Sequence, residues 1–139
     1  MDCLIDTNIF LDVFFKRENL FEQSKEILSL CRDKKINGYI SSSSLTDIFY
    51  ILNKNLKDKE KVYLYLGYVL DLVSIIPVDS ADIYKAYELK AKDFEDALVA
   101  VCAKRAGIDL IITRNTKDFK CFDIETFDPE TFIIQKSNY

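Results

Sequence analysis

The 139-residue chain contains no histidine. That absence removes Ser-His and Cys-His nucleophile pairs and most zinc and iron ligand sets, so any catalysis must run on carboxylates, lysines or hydroxyls. Long apolar runs are also missing, since none approaches the ~20 residues of a membrane span. The Met1 to Ile5 start runs into a strand with no basic leader before it, which sets the expectation of a cytoplasmic protein with no membrane partner. No C-x-x-C pair occurs among Cys3, Cys31, Cys102 and Cys121. Scattered among apolar neighbours, they read as small buried hydrophobes rather than a zinc site. There is no internal repeat, low-complexity segment or linker, so residues 1–139 read as a single domain.

What is present is the composition of a globular protein, 49% hydrophobic and 30% charged. A chain of this length buries roughly 68–70% of its unfolded surface and needs no staple. With 23 acids against 19 bases the net charge is −4, which argues against non-specific coating of nucleic acid. It leaves room for an enzyme that engages a few phosphates through a cation and a local basic patch.

The most informative stretch runs from Asp93 to Phe119. Ala97 to Ala106 is apolar on every side, the pattern of a helix packed on a sheet. Asp93 is placed as its N-cap and Asp96 three residues on, facing free backbone N–H groups and the positive end of the helix dipole. Gly107 stops the helix in a left-handed turn. Leu110 to Ile112 is then the continuous branched run of a strand buried on both faces, typical of parallel sheets. Thr113 to Asp118 leaves its carboxyl end, where open α/β sheets place their ligands.

Along the rest of the chain, strands are expected at Asp2 to Ile5, Tyr39-Ile40, Ser74 to Val78 and Ile124 to Phe127. Pro77 puts the third at the sheet's edge. Asn8 is placed as the N-cap of a helix from Ile9 to Phe15, and Asn37-Gly38 as a turn. Leu20 to Lys34 and a segment with the stripe Leu45, Ile48, Phe49 and Leu52 read as helices. Lys54 to Lys61 reads as a solvated loop, followed by helices over about Glu60 to Leu72 and Ala81 to Ala91. Beyond Asp128-Pro129 only a short tail is expected. The fold class is therefore α/β, a parallel sheet of four to five strands with helices on both faces.

In such a sheet Asp6 follows the end of the first strand, Asn115 and Asp118 follow that of a later one, and Asp47 and Asp96 begin helices that follow a strand or crossover. All point toward one end of the sheet. Each has a structural reading as well: Asp6 as a helix cap, Asp47 as the third residue of a capping box with Ser44, Asp93 as a cap or a member of a metal shell. Two like charges 4 Å apart repel by about 4 kcal/mol at an effective dielectric of 20, so a cation belongs among such carboxylates. Oxygen-only ligands select a hard ion, Mg²⁺ or Mn²⁺. Such an ion polarises a phosphate and activates water for attack on phosphorus.

Four motifs carry a family resemblance: Leu4-Ile5-Asp6-Thr7-Asn8, Ser44-Leu45-Thr46-Asp47-Ile48, Asp93-Phe94-Glu95-Asp96-Ala97-Leu98, and Thr113-Arg114-Asn115-Thr116-Lys117-Asp118-Phe119. In this order and spacing the chain resembles the PIN-domain nucleases, in the bacterial branch that includes VapC-type toxins. The resemblance implies a Mg²⁺- or Mn²⁺-dependent endoribonuclease, frequent homodimers and an antitoxin that blocks the site. It puts the acidic quartet on Asp6, Asp47, Asp96 and the Asn115/Asp118 loop, with Asp118 the charged fourth member. Asp6, Asp96 and Asp118 are the expected metal ligands, with Asp47 reaching the metal through water because the family commonly has a longer glutamate there. Thr7, Asn8, Asp93, Thr113 and Asn115 are expected to support them. Arg114 and Lys117 are the candidate RNA-phosphate contacts, with Lys16 and Arg17 behind them. Glu95 reads as solvated, on a different face. Two rivals remain at this level, a catalytically inactive PIN-like binding module and a phosphoacceptor receiver-like domain.

Overall fold

The structure, a computed structural model, describes residues 1–136. Five strands form one parallel sheet: β1 (Asp2–Ile5), β2 (Asn37–Ser41), β3 (Ser74–Ile76), β4 (Leu110–Ile112) and β5 (Glu125–Phe127), in the order β3-β2-β1-β4-β5. The connections are helical. They are α1 (Thr7–Phe14) and α2 (Phe21–Arg32) after β1, α3 (Ser42–Leu56) and α4 (Lys59–Leu72) after β2, and α5 (Ser80–Leu89) and α6 (Phe94–Arg105) after β3. A four-residue helix, α7 (Thr116–Phe119), follows β4, and α8 (Pro129–Lys136) follows β5.

Side-chain alternation along the central strands builds a core on each face of the sheet. Cys3, Ile5, Leu110 and Ile112 turn toward α1, α2, α3, α4 and α8, where Phe10, Ile27, Leu52, Val69 and Phe132 are buried with them. Leu4 and Ile111 turn the other way, onto α5, α6 and α7. Ala97 to Ala103 are all buried, which explains why α6 carries no polar face until Lys104. Gly107 ends the region in the left-handed conformation, φ +73°.

Several local expectations are corrected. Asn8 is not the cap of α1; Asp6 is, and the helix starts at Thr7. Asn37 and Gly38 lie inside β2, and the turn before it sits at Lys34, φ 57°. A Cβ on Gly38 would stand 2.7 Å from the Cys31 Sγ and 2.8 Å from a Val73 methyl, so this glycine lets α2 and the end of α4 close on the strand. Lys54 to Lys61 is not a loop but two helix ends separated by Lys57-Asp58, where Lys57 takes a left-handed cap and Asp58 caps α4. The short tail is α8, anchored by Phe132. Cys121 is exposed, whereas Cys3, Cys31 and Cys102 are buried; all four are free thiols. Among the described residues no helix is long and apolar enough to cross a membrane.

Candidate active site

The strand order fixes where a site can form. β1 is flanked by β2, reached by the crossover on one side, and β4, reached from the other, so the segments leaving β1 and β4 diverge and open a crevice at their carboxyl ends. Asp6 leaves β1 and Thr113 to Asp118 leave β4 at this crevice, and the Asp6 amide still donates to the Ile112 carbonyl across the strands at 3.0 Å. The order also sets aside the receiver-like reading, since that fold places its strands 2-1-3-4-5.

Asp6 is held by three donors. Its carboxylate caps α1 by accepting from the Thr7 amide at 2.8 Å, and it accepts from the Asn8 side-chain amide at 3.1 Å and from the Thr113 hydroxyl. Burial raises its pKa above the ordinary 3.8, against the pull of these donors and of the nearby Arg114 charge. Thr113 is fully buried and also accepts from the Asn115 amide at 3.1 Å. The Thr7 hydroxyl is buried beside them and has no hydrogen-bond partner among the described residues, leaving an acceptor and donor for a water or ligand.

Asp93 caps α6 by accepting from the Asp96 amide at 3.0 Å, as its position suggests. That geometry fixes the first turn, and among the described residues no hydrogen-bond donor reaches the Asp96 carboxylate. Burial, then the charges of Asp93, Asp6 and Asp118, push Asp96 up to about 6. The charges of these sequence-distant acids therefore act on one another across the crevice. Asp93, Asp96 and Asp118 line one cleft of about 490 Å³ with Lys92, Lys117, Cys121 and Phe122. Lys92 is a cation of this cleft that sequence reasoning did not single out. Asn115 stands exposed at the start of α7 and caps nothing with its side chain.

Asp47 is the outlier of the quartet. The capping-box reading fails because α3 begins one turn earlier than expected, with Ser41 as its cap, accepting from the Ser44 amide at 3.2 Å. Nor is Asp47 among the charges that raise Asp96. It meets Glu95 instead. The proximity of Asp47, then burial, then the charges of Asp47, Asp93 and Asp96, raise the Glu95 pKa to about 8. Glu95 is exposed, as a solvated side chain should be, but it stands beside Asp47 and within reach of the charges of Asp93 and Asp96 rather than apart from them.

Among the described residues no three His, Cys, Asp or Glu side chains stand close enough to enclose an ion unaided. The donors are hard oxygens throughout, Asp96 is raised by the charges of its neighbours, and Thr7 offers an unused hydroxyl. That set suits a cation which keeps most of its waters and takes few direct carboxylates, as Mg²⁺ does.

The PIN domain family model matches residues 2–117. The chain belongs to the PIN-domain family. It is 33% identical over 133 residues to Ribonuclease VapC1 of Aquifex aeolicus (strain VF5), covering 92% of this chain and 90% of that protein, and falls in the VapC-like branch. Its fold matches the solved VapBC2 of Rickettsia felis bound to a DNA fragment from their promoter, with TM-score 0.71 and 23% identity over 92% of this chain and 98% of that one. DNA-bound VapBC from Salmonella typhimurium gives TM-score 0.71 at 18% identity, covering 93% and 98%. The PIN-like α/β architecture read from the sequence is borne out, with five strands.

Proposed function

We propose that this chain is an endoribonuclease that depends on Mg²⁺ or Mn²⁺ and acts as the toxin of a toxin–antitoxin pair. The observation that carries the reading is the gathering of Asp6, Asp96 and Asp118 at the β1/β4 crevice, with Asp96 raised to about 6 by burial and by the charges of Asp93, Asp6 and Asp118. The likeness to a VapC ribonuclease supports the same activity. Asp6, Asp96 and Asp118 would hold the ion in part through water, with Asp47 and Glu95 behind them. A bound ion would supply a Lewis acid and an acidified water.

The chain's own residues do the rest. Thr7, Asn8 and Thr113 fix the Asp6 carboxylate so that it does not rotate away from the crevice. Asp93 fixes the first turn of α6 and so the direction of Asp96. Arg114 and Lys117 bring positive charge to an acidic mouth and would hold the phosphates flanking the scissile bond. Asn115, neutral and exposed, would orient rather than ligate.

An antitoxin and a second copy of the chain are the partners proposed. An apolar groove of about 390 Å³ between α1, α2 and α4, lined by Phe14, Phe21, Leu64, Tyr65 and Tyr68, leaves Leu64 70% exposed and has the shape and chemistry to take the apolar face of an antitoxin helix. The VapBC complexes among its fold neighbours support a bound antitoxin. Sedimentation of the chain alone reads the dimer.

Cleavage of single-stranded RNA in Mn²⁺ by the wild type, and its loss in a folded Asp96→Asn variant by more than the roughly 10–100-fold typical of outer-shell partners, is the expected result. An undiminished variant would sink the assignment. The inactive-module reading draws on the short Asp47 and the neutral Asn115. It predicts no heat on calorimetric titration with Mn²⁺.

A further inference from the structure

Asp12, on the second turn of α1, is fully buried and does not belong to the acidic mouth. One oxygen accepts from the Arg17 Nη1 at 3.2 Å. The other accepts from the Ser24 hydroxyl at 3.0 Å and the Arg114 Nε at 2.7 Å. One carboxylate thus holds two guanidinium groups, and the trio itself carries one positive charge in excess.

The way these arginines bind is the decisive detail. Arg105 shows what a purely structural arginine looks like in the same molecule: it grips Asp82 through Nε at 2.8 Å and Nη2 at 2.9 Å, and its Nη2 also reaches the Pro77 carbonyl at 2.6 Å. Arg114 commits only its inner nitrogen and Arg17 only one terminal nitrogen. Neither has a buried nitrogen left without a partner, so their remaining donors face solvent. Arg114 is also tied to the reaction centre by its backbone. Its amide donates to the Asn8 side-chain oxygen at 3.4 Å, and the Asn8 amide donates to Asp6.

We propose that Asp12 is a positioning residue that braces Arg17 and Arg114 as a two-pronged clamp for consecutive phosphates of single-stranded RNA, carrying the strand from the carboxylates toward the end of α1. The inference rests on the ribonuclease reading and adds to it Asp12, Arg17 and the direction of the strand. A guanidinium held by one nitrogen, the inner one in Arg114 and a terminal one in Arg17, keeps its orientation and presents the others, which match a phosphate better than a mobile lysine does.

The test is binding, separated from cleavage. Fluorescence anisotropy of a short labelled single-stranded RNA is read against the Asp96→Asn chain in Mg²⁺ across a series of KCl concentrations. Arg17→Ala and Arg114→Ala should each weaken binding about tenfold. Each should also reduce the slope of log K against log salt by about 0.7, one phosphate contact apiece. Arg114→Lys should lose affinity while keeping the slope. Asp12→Asn gives the sharpest reading, because it removes a negative charge. If Asp12 only fills the core, RNA should bind as well or better; if it aims the arginines, RNA binds more weakly despite the gain in positive charge. Should Asp12→Asn not fold, the arginine variants, checked by circular dichroism, decide alone. Unchanged affinity and slope in both arginine variants overturns the clamp and leaves the nuclease reading standing. No binding by the Asp96→Asn parent at low salt overturns both.

Discussion

At the scale of single residues, the site is a set of carboxylates held away from their ordinary protonation. Asp96 stands at about 6 against 3.8, and Glu95 at about 8 against 4.5. A carboxyl whose folded pKa is raised binds its proton more tightly in the folded state. Its contribution to stability is complete below the unfolded value and is lost as pH rises through the folded one. The metal-free protein should therefore lose stability between about pH 4 and pH 8 through these two groups. A cation requires them deprotonated, so its stabilisation should grow over the same interval. Melting in chelator and in Mn²⁺ at pH 5.5 and pH 8 checks this: the shift produced by Mn²⁺ should be larger at pH 8, and Asp96→Asn should flatten the dependence. A larger shift at the acidic pH would contradict the account. Most of these residues were legible in the sequence because each follows a strand end or opens a helix, and strand order then forces them together. Glu95 and Asp12 were not. Glu95 was missed because helix phase alone does not say how far a long side chain in the first turn reaches. Asp12 was missed because a lone acid on an apolar helix declares no partner until Arg17, Ser24 and Arg114 are folded onto it.

At the scale of elements, close packing decides where sequence signals mislead. Asn37-Gly38 has the composition of a turn, yet Gly38 is a strand residue chosen for the space it leaves. Gly38→Ala should cost about 1–3 kcal/mol, the usual penalty of overpacking. The Cys31 sulfur is the nearer obstacle, so Cys31→Ala should cost less in the Gly38→Ala background than in the wild type. Urea denaturation of the four proteins gives the coupling, and simple additivity would refute the contact. The end of the chain shows the converse error. Beyond Asp128-Pro129 the sequence suggests only a short tail, but a proline at the first helical position lacks only an N–H that would have gone unpaired, and α8 begins there. Its Phe132 is fully buried against the first core, so Phe132→Ala should cost about 3–5 kcal/mol by the same measurement. The charged stretch Lys54 to Lys61 misled for a related reason: two amphipathic helices can meet at a two-residue break when the charges all fall on the solvent side.

At the scale of the whole molecule, the question is whether the two cores are one cooperative unit, as the single-domain proposal for residues 1–139 requires. The sheet argues that they are, because β1 and β4 contribute alternate residues to both: Cys3, Ile5, Leu110 and Ile112 to one, Leu4 and Ile111 to the other. Neither layer can open without stripping the opposite face of its partners. The thiols report on this directly, since Cys31 lies in the first core, Cys102 in the second and Cys121 on the surface. Pulsed maleimide labelling at rising urea should modify Cys121 at once, then Cys31 and Cys102 together at the midpoint seen by circular dichroism. Phe132→Ala perturbs only the first core, yet it should move the midpoint for Cys102 as far as that for Cys31. If Cys102 kept its wild-type midpoint in that variant, the layers would unfold separately. The crevice between β1 and β4 would then join two independent parts instead of sitting in one rigid frame, and a clamp braced across it from α1 to the end of β4 would have no fixed geometry to offer RNA.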